Sequence, residues 1–287
     1  MCLYPKLIKN KKYTRTKKNG GNIPAVTDER TLFVPVGCGK CIECMKQKSR
    51  AWQVRLYEEI RENKTGKFVT LTFNNESLKE LTRIYKKEYK DYKKIEENEI
   101  ATIAVRRFLE RWRKKYKKSV RHWLVTELGH NGTERIHLHG IVFTDKPEEI
   151  EKIWQYGYVF IGDYVNESTI SYIVKYINKI DVKNKGYQPK VLTSAGIGKN
   201  YLNRHDSSLN KYNGKETKEF YRTNSGTKLN LPIYYRNKLY TDEEKEKLWV
   251  QKLNEQKRYV CGELIDISKN EDDYYGVLQH YRENHQT

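Results

Sequence analysis

The stretch RHWLVTELGHNGTERIHLHGIVF, residues 121–143, contains two strand-like segments joined by a polar loop. Residues 121–128 and 135–143 are rich in β-branched, aromatic and other apolar side chains, which favour strands. The loop between them contains Asn131-Gly132, a pair typical of tight hairpin turns. The stretch therefore predicts an antiparallel hairpin.

Strand and helix patterns continue on both sides of this hairpin. Residues 67–75 and 157–164 predict two further strands, whereas the very polar residues 76–97 carry no clear pattern. Helices are predicted at 45–63, 100–118, 147–154 and 168–180. This order predicts an α+β fold of ferredoxin-like character, in which flanking helices cover a central antiparallel sheet.

Composition divides the chain into three predicted parts. Residues 1–45 form a basic N-terminal arm with a cysteine cluster, and residues 46–185 hold the predicted sheet and its helices. Residues 186–287 are a basic C-terminal extension, rich in Asn, Gly and Ser at its start, with a predicted helix at 242–256.

The chain is strongly basic, with 56 Lys and Arg against 37 Asp and Glu and a net charge of +19 over 287 residues. Such a surplus favours a polyanionic partner, above all nucleic acid, because neutralised phosphates release counterions. The alternative is that the charge only keeps the protein in solution. No apolar run is long enough to span a bilayer or to serve as a signal peptide, which predicts a cytoplasmic protein.

Two histidines, His137 and His139, stand two residues apart in the second strand of the hairpin. Side chains two apart in a strand project from the same face, so both imidazoles can bind one cation. Glu127 in the first strand is the candidate third ligand. The alternative is that the histidines are polar side chains on a solvated sheet face. The apolar neighbours and the adjacent carboxylate favour the metal site.

The register of the hairpin decides whether Glu127 faces the histidines. A two-residue Asn131-Gly132 turn would pair residue 127 with residue 136 and point Glu127 away from them. An odd-length loop or a bulge would pair it with His137 and place it on their face. We predict the odd-length loop or the bulge.

The stretch STISYIVKYINKI, residues 168–180, predicts an amphipathic helix with Ser168 or Thr169 as its N-cap. One face is apolar and should pack on the sheet. The other face carries two tyrosines and two lysines: Tyr172, Lys175, Tyr176 and Lys179. A phenol with a pKa of about 10 attacks a phosphodiester only with a metal and nearby cations, which the lysines would supply. Alternatively, the tyrosines pack through their rings on a surface helix.

In combination, these motifs resemble the HUH endonucleases, the initiators of rolling-circle replication. The resemblance is carried by the strand FVTLTF (68–73), Glu127, His137-x-His139 and the Tyr-x-x-Lys-Tyr-x-x-Lys helix. The two-tyrosine form is similar to the subgroup in small single-stranded DNA phages. MCLYP (1–5), VPVGCGKCIECMKQKSRAWQVRLYEE (34–59) and LNLPIYYRNKLY (229–240) resemble replication initiators of the gokushovirus-like microviruses, so the resemblance covers nearly the whole chain.

The resemblance implies a metal-dependent, site-specific DNA nickase and strand transferase. His137, His139 and Glu127 would bind Mg²⁺ or Mn²⁺. Tyr172 or Tyr176 would attack the DNA, leaving a 5′-phosphotyrosine link and a free 3′-OH, and the other tyrosine would act in termination. The implied partners are single-stranded and origin DNA, a host helicase and a replication polymerase, with no membrane. The implied location is the host bacterial cytoplasm.

Two other functions fit parts of the same pattern. A plasmid replication initiator would use the same chemistry. A non-catalytic, zinc-containing protein that binds or packages single-stranded DNA would use His137, His139 and the tyrosines only as surface polar groups. Covalent adduct formation with DNA separates an enzyme from such a binder.

Four of the five cysteines lie near the N-terminus: Cys2, Cys38, Cys41 and Cys44. Their odd total and the cytoplasmic prediction argue against a disulfide framework. The spacing suits a structural zinc site, with Gly37 and Gly39 permitting a tight knuckle. Reduced thiols and an iron–sulfur cluster are the alternatives. Cys261 is solitary and is predicted to be a packing residue.

Two further motifs invite a functional interpretation. AGIGKN, residues 195–200, lacks the residues of a phosphate-binding loop, so a flexible turn is predicted and unwinding would fall to a host helicase. A DNA-contacting loop is the alternative there. RFLERWRKKY, residues 107–116, interleaves aromatic and basic residues, but Phe108 and Trp112 lie on the apolar stripe and are predicted to be core.

Overall fold

The computed structural model describes residues 2–88, 97–129, 134–179, 184 and 186–284. The strands are β1 (Lys6–Lys9), β2 (Phe33–Val36), β3 (Gly66–Leu71), β4 (Arg121–Leu128), β5 (Ile136–Phe143), β6 (Val159–Ile161), β7 (Val191–Thr193), β8 (Phe220–Arg222), β9 (Lys228–Asn230), β10 (Lys257–Val260) and β11 (Glu263–Asp266). The α-helices are α1 (Ile42–Glu62), α2 (Asn75–Glu88), α3 (Glu97–Tyr116), α4 (Glu148–Trp154), α5 (Glu167–Ile173), α6 (His205–Ser208), α7 (Ile233–Leu239), α8 (Asp242–Asn254) and α9 (Asp272–Asn284).

The chain forms two compact units. One contains residues Trp52–Tyr201, and the other joins Met1–Ala51 to Leu202–Thr287. The sequence did not predict that the N-terminal arm and the C-terminal extension share a unit. The boundaries expected near residues 45 and 185 stay a prediction.

The unit Trp52–Tyr201 is built on a five-stranded sheet of order β6-β3-β5-β4-β7. Every neighbouring pair is antiparallel. The first four strands have the order expected of a split β-α-β arrangement, which is ferredoxin-like. The predicted α+β class with a central antiparallel sheet and flanking helices is confirmed.

One face of this sheet packs on a continuous hydrophobic core. Alternate residues of β3, β4 and β5 point into it, and α2, α3 and α4 cover it. Phe108 is 0% exposed and Trp112 is also buried, so both belong to the core as predicted. The polar stretch 76–97, for which no element was predicted, contains α2, whose Leu78, Leu81 and Ile84 meet this core at helical spacing.

The opposite face of the sheet carries Glu127, His137 and His139. Glu127 pairs with His137, so the predicted register is confirmed, and an odd number of residues, 129–135, joins Leu128 to Ile136. The predicted Asn131-Gly132 turn lies outside the described residues. Because Thr70 pairs with His139, its side chain joins the same face.

The tyrosine-bearing helix differs from its prediction in two ways. The N-cap is Asn166, not Ser168 or Thr169, and Asn166 and Thr169 form a capping box. The helix changes at Val174 into a 3-10 helical segment, Val174–Ile177, instead of continuing as α-helix. Its apolar stripe is buried as predicted. Ile180, the last residue of the predicted helix, lies outside the described residues.

The other unit contains three two-stranded sheets: β1-β2, β8-β9 and β10-β11. Glu246 of α8 accepts hydrogen bonds from Lys12 Nζ at 2.9 Å and from Tyr13 Oη at 3.1 Å, which ties the N-terminal arm to the C-terminal part. Cys261 packs against a small core around Leu3, as its predicted packing role requires. None of the helices in the described ranges has the length and apolar character of a membrane span.

Candidate functional site

Three potential metal ligands converge on the open face of the central sheet. Glu127 Oε2 lies 3.0 Å from His137 Nε2 and 2.9 Å from His139 Nε2. Two ligands at right angles around a small divalent ion, each about 2.1 Å from it, are about 3 Å apart. The spacing of these donors therefore fits an ion such as Mg²⁺ or Mn²⁺.

The second nitrogen of each imidazole is held by a neighbouring group. His137 Nδ1 lies 3.2 Å from the Arg135 carbonyl oxygen, which can only accept a hydrogen bond. The proton of a neutral His137 therefore sits on Nδ1, and Nε2 offers a lone pair towards Glu127. Two acceptors 3.0 Å apart need a cation between them, either a proton or a metal. His139 Nδ1 is held by Thr70 Oγ1 at 3.0 Å.

The charge states of the site suit metal binding. Burial disfavours ionisation of Glu127, but hydrogen bonds with His137, His139 and Lys179 hold the pKa of this carboxyl well below its usual range. Burial lowers the pKa of His139, so its imidazole is neutral at pH 7. A carboxylate and neutral imidazoles are the ligand forms that a divalent ion requires.

The two tyrosines lie together beside this group. Their hydroxyl oxygens share a hydrogen bond of 2.7 Å, and the Tyr176 ring stacks on the His139 ring with centroids 4.2 Å apart. Tyr176 is 9% exposed and Tyr172 is 52% exposed. Burial, and then the hydrogen bond with Tyr172, raise the pKa of Tyr176.

The two lysines of the helix have different surroundings. Lys179 Nζ donates a hydrogen bond to Glu127 Oε1 and lies 5.7 Å from the centroid of the Tyr176 ring. Lys175 is exposed and, within the described residues, forms no ion pair with Glu127. The catalytic roles given to both lysines stay predictions.

Contacts that the sequence did not indicate position the tyrosine helix. Tyr57 Oη lies 2.9 Å from Ser171 Oγ, and Gln53 Nε2 donates to Tyr57 Oη at 2.7 Å. Tyr57 and Gln53 are four residues apart in α1, so both reach the same neighbour. Helical spacing could have placed them on one face of α1, but no local pattern indicates Ser171 as their partner.

A second group of potential metal ligands lies in the unit that contains the N-terminus. The sulfur atoms of Cys2, Cys38, Cys41 and Cys44 all lie within 4.8 Å of one another, and those of Cys2 and Cys41 are 3.7 Å apart. Four sulfurs bound tetrahedrally at about 2.3 Å from one zinc ion are about 3.8 Å apart. The cluster therefore has the size of a mononuclear site.

The backbone around the cysteines suits thiolate ligands. The amide of Cys38 donates to Cys2 Sγ at 3.2 Å, and the amide of Cys41 donates to Cys38 Sγ at 3.3 Å. Burial opposes ionisation of Cys38, but its amide hydrogen bonds lower the pKa to about 7. Gly39 has a φ of +76°, and a Cβ on Gly37 would lie 3.0 Å from Cys44 Sγ. Both glycines are therefore needed for this loop.

Comparison with known proteins relates the chain to phage replication. A family model for the replication-associated protein ORF2 matches residues 66–181, the segment that carries Glu127, both histidines and both tyrosines. Over 198 residues, the chain is 24% identical to replication-associated protein ORF4 of Chlamydia phage 1. That match covers 58% of this chain and 46% of the relative, so the chain spans about half the length of the relative. No solved structure gives a significant match.

These matches confirm the resemblance to microvirus-like replication initiators. The five-stranded sheet and both groups of site residues, the metal triad and the tyrosine pair, lie within or next to the matched segment. The chain is thus related to the microvirus-like replication initiators through residues 66–181, the segment that matches the replication-associated protein ORF2 family.

Proposed function

We propose that the protein initiates rolling-circle replication of a small phage genome by nicking and rejoining single-stranded DNA at an origin. The observation that carries the proposal is the placement of two hydrogen-bonded tyrosine hydroxyls beside a Glu-His-His group, with the Tyr176 ring 4.2 Å from that of His139. Isolated surface tyrosines would not require this convergence. The family match to replication-associated proteins supports the same function.

Glu127, His137 and His139 would hold the divalent ion, Mg²⁺ or Mn²⁺. When bound, the ion supplies positive charge that polarises the scissile phosphate. Thr70 and the Arg135 carbonyl keep the Nδ1 atoms engaged, which leaves both Nε2 atoms turned to the ligand position.

The tyrosines would perform the covalent step. A tyrosine oxygen attacks the phosphorus and loses its proton, the phosphorus–O3′ bond breaks, and the departing 3′ oxygen takes up a proton. The products are a 5′-phosphotyrosine link and a free 3′-OH, which can prime a host replication polymerase. A host helicase would open the duplex. In termination, the second tyrosine cleaves the regenerated origin, and the 3′-OH attacks the first link to close the circle.

Adduct formation tests this function directly. Labelled single-stranded oligonucleotides that tile the encoding genome are mixed with the protein and Mn²⁺ or Mg²⁺, and denaturing gels report covalent protein–DNA adducts. We expect an adduct that requires metal and is lost in the Tyr172→Phe/Tyr176→Phe double variant. Tyr158→Phe, which removes another exposed phenol of the same unit, should leave it intact.

Two results would contradict the proposal. An adduct that persists in the double variant would place the nucleophile elsewhere. DNA binding without any adduct on either genome strand would favour the non-catalytic binding or packaging protein. Glu127→Gln tests the metal group independently, because Mn²⁺ binding without DNA should weaken by about tenfold or more when the carboxylate is lost.

We also propose that Cys2, Cys38, Cys41 and Cys44 hold one structural zinc ion. Their mutual distances, all within 4.8 Å, suit one tetrahedral ion better than an iron–sulfur cluster, in which the thiolates bind different irons. The amide hydrogen bonds to Cys2 and Cys38 stabilise thiolates over thiols. Such an ion would join the N-terminus to the start of α1.

A further inference from the structure

A row of aromatic side chains runs along the sheet face that carries the histidines. Phe160 of the edge strand β6 pairs with Thr70 of β3, and Thr70 pairs with His139 of β5. Paired residues project from the same face, so Phe160 lies on the face of the metal group. Phe68 is two residues before Thr70 in β3 and joins the same face.

Phe68 connects the edge of the sheet to the catalytic residues. Its ring centroid lies 6.1 Å from that of Phe160, 6.3 Å from that of His139 and 6.4 Å from that of Tyr172. The contacts with Phe160 and Tyr172 are edge to face, with interplanar angles of 66°. The aromatic surface is therefore continuous from β6 to the tyrosine pair.

This surface is exposed, and a glycine keeps it so. Phe160 is 46% exposed although it stands in a strand. Gly162 follows two residues later, and a Cβ at this position would lie 3.4 Å from Phe68 Cβ and 3.8 Å from Phe160 Cε1. These are ordinary contact distances, so a larger side chain would fit there and would cover both rings.

We propose that Phe160 and Phe68 form a stacking platform for bases of the single-stranded DNA beside the scissile phosphate. The inference rests on the proposed function, because it assigns the substrate contact that leads into the same site. Single-stranded DNA fits this surface because flat rings accept any base, and the chain carries a net charge of +19. The platform would hold the strand while the phosphate lies at the tyrosines.

Binding without cleavage tests the platform. Fluorescence anisotropy with labelled oligodeoxythymidylate is measured in EDTA, in the Tyr172→Phe/Tyr176→Phe background, so that nicking plays no part. Phe160→Ala should bind about tenfold more weakly, because it removes one stacking ring. Gly162→Ile should weaken binding similarly by covering the rings, whereas Phe160→Tyr should bind as the parent does.

An abasic oligonucleotide separates stacking from other losses. Phe160→Ala and the parent should bind an abasic strand almost equally, because no base remains to stack. Tyr259→Ala, which removes an exposed ring from the other unit, controls for loss of any exposed aromatic residue. Thermal melting checks that each variant is folded.

The outcomes for the platform and for nicking are distinguishable. Binding of oligodeoxythymidylate by Phe160→Ala within about twofold of the parent would overturn the platform and leave nicking untouched. A loss of the same size on the abasic strand would also overturn it. Failure of the wild-type chain to form an adduct, with a base-dependent loss in Phe160→Ala, would overturn nicking alone.

Discussion

The phenol ring of Tyr176 lies parallel to the imidazole of His139, with an interplanar angle of 8° and ring centroids 4.2 Å apart. This stacking buries Tyr176 to 9% exposure, whereas Tyr172 remains 52% exposed. The two phenols share a hydrogen bond but differ in their access to solvent. A DNA strand arriving from solvent therefore meets Tyr172 first.

This difference predicts an order for the two tyrosines. Tyr172→Phe should lower the initial rate of adduct formation by about tenfold or more, since it removes the accessible nucleophile. Tyr176→Phe should have a smaller effect on that rate and a larger one on rejoining. Single-turnover kinetics on origin oligonucleotides, followed on denaturing gels, would measure both steps. A slower first cleavage in Tyr176→Phe than in Tyr172→Phe would reverse the order.

The two lysines of the tyrosine helix should contribute unequally. Lys179 donates to Glu127 and lies 5.7 Å from the Tyr176 ring centroid, whereas Lys175 is exposed. Lys179→Gln should slow adduct formation by about tenfold, because it removes a charge fixed beside the reacting groups. Lys175→Gln, the matched control, should change the rate less than about twofold. Equal losses in the two variants would indicate that both lysines contact the phosphate.

The central hairpin and its site could be predicted because their patterns are local. Alternating residues predict β4 and β5, and the period of two places both histidines on one face. The position of Glu127 depended on loop parity alone, so a choice between two registers sufficed.

Other features depend on contacts between distant residues. The pairing of β1 with β2 joins residues 6–9 to residues 33–36, and no local pattern specifies that partner. The role of Phe160 depends on the order β6-β3-β5, which brings an edge strand to the histidines. The helix α2 did carry a signal, the spacing of Leu78 and Leu81, but its many charges masked it.

The N-cap of the tyrosine helix gives a test in which prediction and structure disagree. Asn166 Oδ1 accepts from the Thr169 amide at 2.9 Å, so Asn166→Ala should lower the free energy of unfolding by about 1 kcal/mol. Ser168→Ala, at the exposed position first expected to cap the helix, should be neutral. Urea denaturation would measure both. A larger loss in Ser168→Ala would restore the sequence-based cap.

A buried ion pair predicts a pH dependence of stability. Glu59 is 3% exposed and accepts from Arg121 at 2.6 and 2.7 Å and from the Gly198 amide at 2.8 Å. Burial acts to raise its pKa, but Arg121 and the Gly198 amide lower the pKa below its usual value. The ionised form therefore stabilises the fold above the unfolded-state pKa of about 4.3, and this stabilisation is lost as the pH falls through the folded-state pKa.

Glu59→Gln should expose this dependence. At pH 7 the variant should be less stable by about 2 kcal/mol, and the difference from wild type should shrink as the pH falls below about 4. Denaturant unfolding across the pH range would measure it. Glu62→Gln, an exposed position on the same helix, serves as the control. A deficit that stays constant from pH 7 to acid would show that charge plays no part.

The four-cysteine cluster predicts a metal content. The wild-type chain, purified under reducing conditions, should contain about one zinc ion per chain by mass spectrometry. Cys38→Ser should lose the zinc and melt at a lower temperature, because a structural ion contributes directly to folding. Cys261→Ser, outside the cluster, should keep it.

Chelation separates zinc from the two alternatives for these cysteines. A strong chelator should lower the melting temperature of wild type, and added Zn²⁺ should restore it, while Cys38→Ser should respond to neither. Iron and sulfide in the purified protein, with visible absorption, would instead establish an iron–sulfur cluster. Wild-type chain that contains no metal and melts at the same temperature with and without Zn²⁺ would show that Cys2, Cys38, Cys41 and Cys44 are reduced thiols held together by packing alone.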